Sequence, residues 1–229
     1  CTQVLDNSSL VAYFSFDNGS LSNAAGLPNF YPHATGQTTI PGHLNQALLF
    51  NGTTSSYFQI SNVSVVGTVN QPFSISLWIK SAALTGTIIH VSLTSLGLDG
   101  WCLPFIGFDA SSRISDQLWN GTMAVAAIGP IPSANTWIHV VQTFSTTNGL
   151  KLYINGYFYS TTSSTVTQFI ASSSSMYMTI GSPRSAAAPG CTITSVLPLN
   201  VSYSGSVDEL KIYARELTAL DVCTLYEYY

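Results

Sequence analysis

Phe73-Ser-Ile-Ser-Leu-Trp-Ile-Lys80 alternates without a break, with Phe73, Ile75, Leu77 and Ile79 on one side of an extended chain. A period of two marks a β-strand with one face against a core, because successive side chains of a strand point to opposite faces. The same reading extends outward. Leu150-Lys-Leu-Tyr-Ile-Asn-Gly-Tyr-Phe158 places Leu150, Leu152, Ile154 and Phe158 on one face, with Asn155-Gly156 as a tight hairpin turn in which Gly supplies the positive φ. Further strands are expected at Val11–Phe16, Ala47–Phe50, Tyr57–Ile60, Thr87–Leu93, Cys102–Phe108, Thr122–Ile128, Trp137–Phe144, Tyr177–Gly181 and Val207–Tyr213. Turn residues recur about every 8–12 residues, the spacing of a sandwich or barrel. One short helix is expected over Ala219–Leu225, with Thr218 as N-cap and Asp221 in the capping-box place. The Ser/Thr-rich stretch Ser160–Ser175 reads as a surface crossing between strands. No charge run, repeat or Pro-rich linker divides the chain, so residues 1–229 read as a single all-β domain.

Composition narrows the function classes. Charged residues are 7% of the chain, hydrophobic residues 46% and aromatics 12%, which excludes a disordered chain and a long solvated helix. Lys plus Arg number 6 against 10 Asp plus Glu, a net charge of -4, which cannot neutralise a phosphate backbone, so nucleic acid is not an expected partner. The longest apolar runs, such as Ala124 to Ile131, fall far short of the ~20 residues of a membrane-spanning helix. Asn-x-Ser/Thr sequons begin at Asn7, Asn18, Asn51, Asn62, Asn120 and Asn200. With four cysteines and few charges they point to a secreted, extracellular glycoprotein, whose sugars would do the solubilising work of charged side chains. The chain opens Cys1-Thr2-Gln3, and removal of a leader is expected.

Six motifs in order carry a resemblance. They are Leu10-Val-Ala-Tyr-Phe-Ser-Phe-Asp17, Pro41-Gly-His-Leu-Asn-Gln-Ala-Leu-Leu-Phe-Asn-Gly52, Phe73–Lys80, Trp137-Ile-His-Val-Val-Gln-Thr-Phe144, Leu150–Gly156 and Ser204-Gly-Ser-Val-Asp-Glu-Leu-Lys-Ile-Tyr-Ala-Arg-Glu-Leu217. Together they resemble the laminin-G-like, concanavalin A-like lectin jelly rolls, in the pentraxin-related branch, over residues 10–222. The resemblance implies an antiparallel two-sheet jelly-roll sandwich. Gly181–Ser202, which holds Cys191, is longer than the family pattern and is expected to form an ordered extra loop.

Catalysis finds little support. Glycosidases need two carboxylates facing one another across a sugar. Before Asp208 the chain offers Asp6, Asp17, Asp99, Asp109 and Asp116, no Glu, and no paired Glu-x-Asp-x-x-Glu strand. His33, His43, His90 and His139 lack ligand spacing for zinc, and no Ser-His-Asp arrangement or phosphate loop can be argued. A non-catalytic protein is expected.

Calcium is the candidate cofactor. By period two Asp208 falls in phase with Leu210 and Ile212, and a carboxylate so placed needs a partner. The resemblance implies one structural Ca²⁺ where the first and last strands meet, held by Asp17 and Asp208 with carbonyls near Gly19 and Asn51. The alternative is that Asp208 accepts backbone N–H bonds in a bulge. The resemblance also implies that the chain ends come together, pairing Cys1 with Cys223 and leaving Cys102 for Cys191. A rival is that Cys1 and Cys223 bond to other molecules.

Tyr153, Tyr157 and Tyr159 share a period-two face, and Trp101 and Trp119 lie in or near loops; these aromatics are the candidate ligand surface, for stacking on sugars or anchoring a protein. The aromatic end Tyr226-Glu-Tyr-Tyr229 is expected to dock somewhere. Two functions follow: recognition or adhesion towards an extracellular glycan or protein, or a structural protomer that binds copies of itself, where a head-to-tail contact that does not close makes a fibre.

Overall fold

The computed structural model describes residues 1, 4–26, 30–97, 100–162, 167–185 and 194–228. Strands β1 (Leu10–Phe14), β2 (Tyr31–Thr35), β3 (Thr38–Pro41), β4 (Gln46–Asn51), β5 (Tyr57–Val63), β6 (Phe73–Ser81), β7 (Thr87–Ser92) and β8 (Cys102–Phe108) make up the first half. Strands β9 (Ile114–Trp119), β10 (Ala124–Ile128), β11 (Trp137–Ser145), β12 (Gly149–Ile154), β13 (Tyr157–Thr161), β14 (Met176–Ile180) and β15 (Ser204–Tyr213) follow, then helix α1 (Ala219–Tyr228). The larger sheet runs β13-β12-β11-β6-β15-β4-β3, with β1 also on β15, and the smaller runs β10-β9-β8-β7-β14-β5-β2. All strand pairs are antiparallel.

The expected strands are present, most within two residues of the expected ends. β2, β3 and β9 have no counterpart among them, for two physical reasons. β2 and β3 are short, exposed sheet edges carrying Pro32 and Pro41, so no apolar alternation marks them. β9 does alternate, but its middle core-facing position, between Ile114 and Leu118, is Asp116.

The sheets meet in an aromatic-rich core. Phe73 of the larger sheet lies 5.9 Å from Phe105 of the smaller and 5.5 Å from Phe169, and Phe14 meets Phe58 edge-on at 5.0 Å. Such pairs contribute about 0.5–1.5 kcal/mol each beyond the area they bury. A second cluster, Val141, Tyr153, Tyr213, Leu217, Val222 and Leu225, lies where α1 packs on the outer face of the larger sheet. The helix start is closed reciprocally: Asp221 N donates to Thr218 Oγ1 at 3.1 Å, and Thr218 N donates to Asp221 Oδ2 at 2.9 Å.

The β12–β13 turn corrects the face assignment for Phe158. Asn155 (φ 50) and Gly156 (φ 83) form the two-residue turn. Ile154 then pairs with Tyr157 and Tyr153 with Phe158, so Phe158 faces with Tyr153 rather than with Ile154. A Cβ on Gly156 would also lie 2.9 Å from Tyr226 Cβ, so the turn needs glycine for space as well as for φ.

Cys1 and Cys223 are joined, with Cα atoms 5.5 Å apart and a sequence separation of 222. Closing so long a loop removes denatured-state entropy equivalent to about 5 kcal/mol in the chain-entropy treatment. Cys102 opens β8 and is also disulfide-bonded. Its expected partner, Cys191, lies outside the described residues, as does part of the Ser160–Ser175 stretch.

Candidate functional site

β15 changes neighbours in mid-strand. Val207 pairs with Leu48 of β4, Leu210 pairs with Phe14 of β1, and the register with β6 slips between Asp208 and Lys211. Glu209 sits there with φ 52. A bulge shifts the side-chain phase by one residue. Val207 and Leu210 both enter the core, so Asp208 does not point with Leu210 and Ile212 but towards the outer face.

There it holds a loop. Asp208 Oδ2 accepts from His43 N at 2.9 Å and Leu44 N at 3.0 Å, and its Oδ1 accepts from Glu209 N at 2.9 Å. A Cβ on Gly42 would lie 2.5 Å from Asp208 Oδ2, which is why the loop carries glycine there. Asp17 holds the other end of the loop: its Oδ1 accepts from Gln46 N at 3.1 Å and its Oδ2 from Asn45 Nδ2 at 3.2 Å. Burial pushes the Asp208 carboxyl up to about 7, against the downward pull of the three N–H donors.

These residues do not fit a calcium ion. Asp17 and Asp208 point at amide hydrogens, which place positive charge where a cation would have to sit. Asn51 lies opposite Ser204, four residues along β15 from Asp208 and thus roughly 13 Å away at about 3.3 Å per residue. Its Oδ1 accepts from Thr53 N at 3.0 Å and Thr53 Oγ1 at 2.7 Å. Among the described residues, no three His, Cys, Asp or Glu side chains gather in a metal-binding group. Asp208 is bonded to backbone N–H groups in a bulge.

The outer face of the larger sheet is closed around this clamp. The His43 ring stacks on Trp78 at 3.5 Å and 14°, and Tyr226 of α1 stacks on the same indole at 5.6 Å. Lys211 pairs with Glu209 at 2.7 Å, both buried, and the Tyr13 hydroxyl donates to Glu209 Oε2 at 2.9 Å. His139 shares a hydrogen with Ser76 Oγ at 2.8 Å. Burial, then the Lys211 charge, pushes His139 down to about 3, so its ring is neutral.

The outer face of the smaller sheet is polar and equally closed. Gln59, His90, Gln117 and Thr179 line it, all buried. Residues 194–202, part of the expected extra loop, lie across it. Gln117 Nε2 donates to Ser195 Oγ at 2.6 Å, Val196 N donates to Gln117 Oε1 at 3.0 Å, and Thr87 Oγ1 donates to Pro198 O at 2.7 Å.

Of the candidate ligand aromatics, the structure separates two groups. Trp101 and Trp119 pack against the core, and Trp101 Nε1 donates to Ile170 O at 3.1 Å. Tyr153 is 3% exposed, under α1. These three do not form a ligand face: the two indoles pack against the core, and α1 covers Tyr153 although it keeps the outward phase of its strand. Tyr157 and Tyr159 do stand in solvent, 66% and 49% exposed, on the free edge of the larger sheet. Between them Phe158 is 53% exposed, a residue whose core assignment hid it from the sequence reading. Of the sequon asparagines, Asn7, Asn18, Asn51, Asn62 and Asn200 are exposed and Asn120 is half-buried.

Solved structures share this architecture. Domain 4 of AbnA, a GH43 extracellular arabinanase from Geobacillus stearothermophilus, solved in complex with arabinotriose, is 20% identical, with TM-score 0.58 over 95% of this chain and 98% of that one. The botulinum neurotoxin serotype G binding domain is 16% identical, with TM-score 0.68 over 96% of this chain, as is the binding domain of Paraclostridial Mosquitocidal Protein 1. The chain spans about half of those toxin domains, 51% and 52% of their length. At such identities the likeness is one of fold. No curated protein sequence matches the chain. A family model does match, over residues 51–223, from the last residue of β4 into α1. The chain belongs to the laminin-G family of the concanavalin A-like lectin/glucanases superfamily.

Proposed function

We propose that the chain is a secreted, non-catalytic recognition domain that binds an extracellular glycan through the β13 edge. The observation that carries this reading is the exposure of Tyr157, Phe158 and Tyr159 on one uncharged strand while both outer sheet faces are covered. Tyr157 and Phe158 project to opposite sides of the edge strand, and each exposed ring offers a stacking platform for the C–H face of a sugar. Size favours a glycan over a protein. Three aromatic side chains of ~200 Å² each, about half exposed, offer roughly 300 Å², well short of the ~800 Å² per partner of a stable protein interface. Similar folds solved with arabinotriose and with SialylT support the glycan, although one solved with synaptotagmin II keeps a protein partner in view. The carboxylates Asp208 and Glu209 are spent on backbone amides, Tyr13 and Lys211, which leaves them unsuited to acid–base work. Secretion is supported by the Cys1–Cys223 disulfide and by the exposed sequons. Screening the protein against immobilised glycans, then titrating the strongest binder, tests the reading. Tyr157→Ala and Tyr159→Ala should each weaken binding by about tenfold or more, the loss expected of a central aromatic contact. Binding that survives both substitutions would overturn it.

A second reading, the structural protomer, has one observation of its own. β13 carries neither Pro nor charge, the usual guards of an exposed edge against pairing with another strand. Light scattering over a concentration series distinguishes the two, since a protomer assembles and a recognition domain stays monomeric.

A further inference from the structure

A cavity of about 280 Å³ opens beside the sequon Asn62-Val63-Ser64. That is slightly under the ~300 Å³ at the small end of ligand sites, a size for one pyranose ring with its acetamido group. The backbone aims Asn62 there. The register of β5 against β14 slips between Ile60 and Val63, and Asn62 occupies the bulge with φ 69, a conformation Asn tolerates better than most residues. Val11 of β1 and Ala214, just after β15, form part of the wall, so the cavity lies where the first and last strands run out. Phe30 supplies an apolar surface. Thr68 and Gln71 supply polar groups: Thr68 Oγ1 donates to Ser64 O at 2.9 Å, and Gln71 Nε2 donates to Ala214 O at 3.4 Å, which leaves the Gln71 carbonyl oxygen as an acceptor. Asn7 and Asn18 border cavities too, but the first is walled mostly by apolar side chains and the second by polar ones alone. At Asn62 the two kinds of wall meet.

We propose that the first N-acetylglucosamine of a glycan on Asn62 lodges in this cavity and braces the ends of β1, β5 and β15 against one another. The inference rests on the reading of the chain as a secreted glycoprotein. The sugar arrives by ordinary transfer from a lipid-linked oligosaccharide diphosphate: the Asn62 Nδ2–C1 bond forms, the C1–O bond to phosphate breaks, the lipid diphosphate leaves, and the amide proton passes to the transferase. The lodged sugar, tethered at Asn62, adds packing and hydrogen-bond contacts to β1 and the end of β15 that sugars at open sequons do not make.

The test compares protein secreted from a glycosylating host with protein made in bacteria, carrying Ser64→Ala, Ser64→Thr or, as a control sequon, Thr122→Ala. Ser64→Ala removes the sequon while leaving the Asn62 backbone intact. Glycopeptide mass spectrometry reads occupancy, and melting curves read the brace. In the glycosylated protein Ser64→Ala should lower Tm by about 3–6 °C, the scale for losing a packing contact in a domain of this size. Ser64→Thr should restore it, Thr122→Ala should leave it in place, and no variant should differ in the bacterial protein. The Asn62 glycan should also resist N-glycosidase in the native protein and yield after denaturation. An equal Tm change in both hosts, or release as fast as at the other sites, overturns the inference. If other sequons are occupied and Asn62 is bare, the inference fails alone; if none is occupied, the glycoprotein reading fails with it.

Discussion

The larger sheet carries two aromatic groups that meet opposite fates. In its middle, His43, Trp78 and Tyr226 are stacked on the outer face, locked by a loop that Asp17 and Asp208 hold by its amides. At its edge, Tyr157, Phe158 and Tyr159 stand in solvent on a strand with one neighbour. Both groups are rich in rings, so composition does not separate them. What separates them is whether polar groups nearby secure a cover. The middle has a buried carboxylate that exchanges water for three backbone donors, and the cover stays down; the edge has none, and its rings remain available to a partner.

The largest effect should come from removing the clamp. Asp208→Ala strips three amides of their acceptor, each costing about 1–3 kcal/mol when buried unpaired, so a loss of about 3–5 kcal/mol in chemical denaturation is expected. Gly42→Ala, which places a methyl group against the same carboxylate, should act in the same direction. Loss of less than about 1 kcal/mol from Asp208→Ala would mean that the loop does not depend on it.

Next comes a carboxyl that has no clamp. Asp116 faces the core between Ile114 and Leu118, and burial pushes its pKa well above the usual carboxylate range. A raised folded pKa gives stability that is full below the unfolded value of 3.8 and is lost as pH rises towards the folded value. Asp208, raised to about 7, loses its share between about pH 4 and 7. His139, lowered to about 3, works the other way, giving stability that is full above 6.5 and lost as pH falls towards 3. Asp116→Asn removes the first contribution alone. It should leave stability at pH 3.5 nearly unchanged and raise it at pH 8, where the wild-type carboxyl has been forced to ionise in its buried site. A gain independent of pH would show that the fold leaves the Asp116 carboxyl at its unfolded pKa.

The smallest stability effects belong to the edge. Tyr157→Ala and Tyr159→Ala should change stability by less than about 0.5 kcal/mol, as exposed positions do, while removing ligand affinity. Chelation by EDTA should leave the melting curve in place, because Asp17 and Asp208 already hold amides; a drop of several degrees would restore the cation.

Much of this was legible in the sequence because strand periodicity survives wherever a ladder runs without a bulge. Phe73–Lys80 and Trp137–Phe144 alternate in the sequence and sit side by side in the structure. The capping box at Thr218 and Asp221 was equally legible, since a helix start depends on four consecutive residues. What failed were readings that counted by twos through an irregularity. The bulge at Glu209 turned Asp208 outward, and the Asn155-Gly156 turn put Phe158 on the outer face, whereas Tyr153 kept its phase and was buried by α1. A bulge costs one residue of phase and leaves little trace beyond a residue at positive φ, here a glutamate, whose composition gives no warning. The covering of both sheet faces was also hidden, because it depends on which loop reaches which face rather than on any local pattern.

Hydroxyl-radical footprinting, with and without the glycan that binds best, tests most directly whether the β13 edge is the open surface and the sheet faces are closed. Tyr157, Phe158 and Tyr159 should be oxidised rapidly in the free protein and protected by ligand, while Trp78 and Tyr153 should be slow in both states. Ligand protection that falls instead on residues 194–202 or on His43 and Trp137, with the edge unchanged, would contradict it.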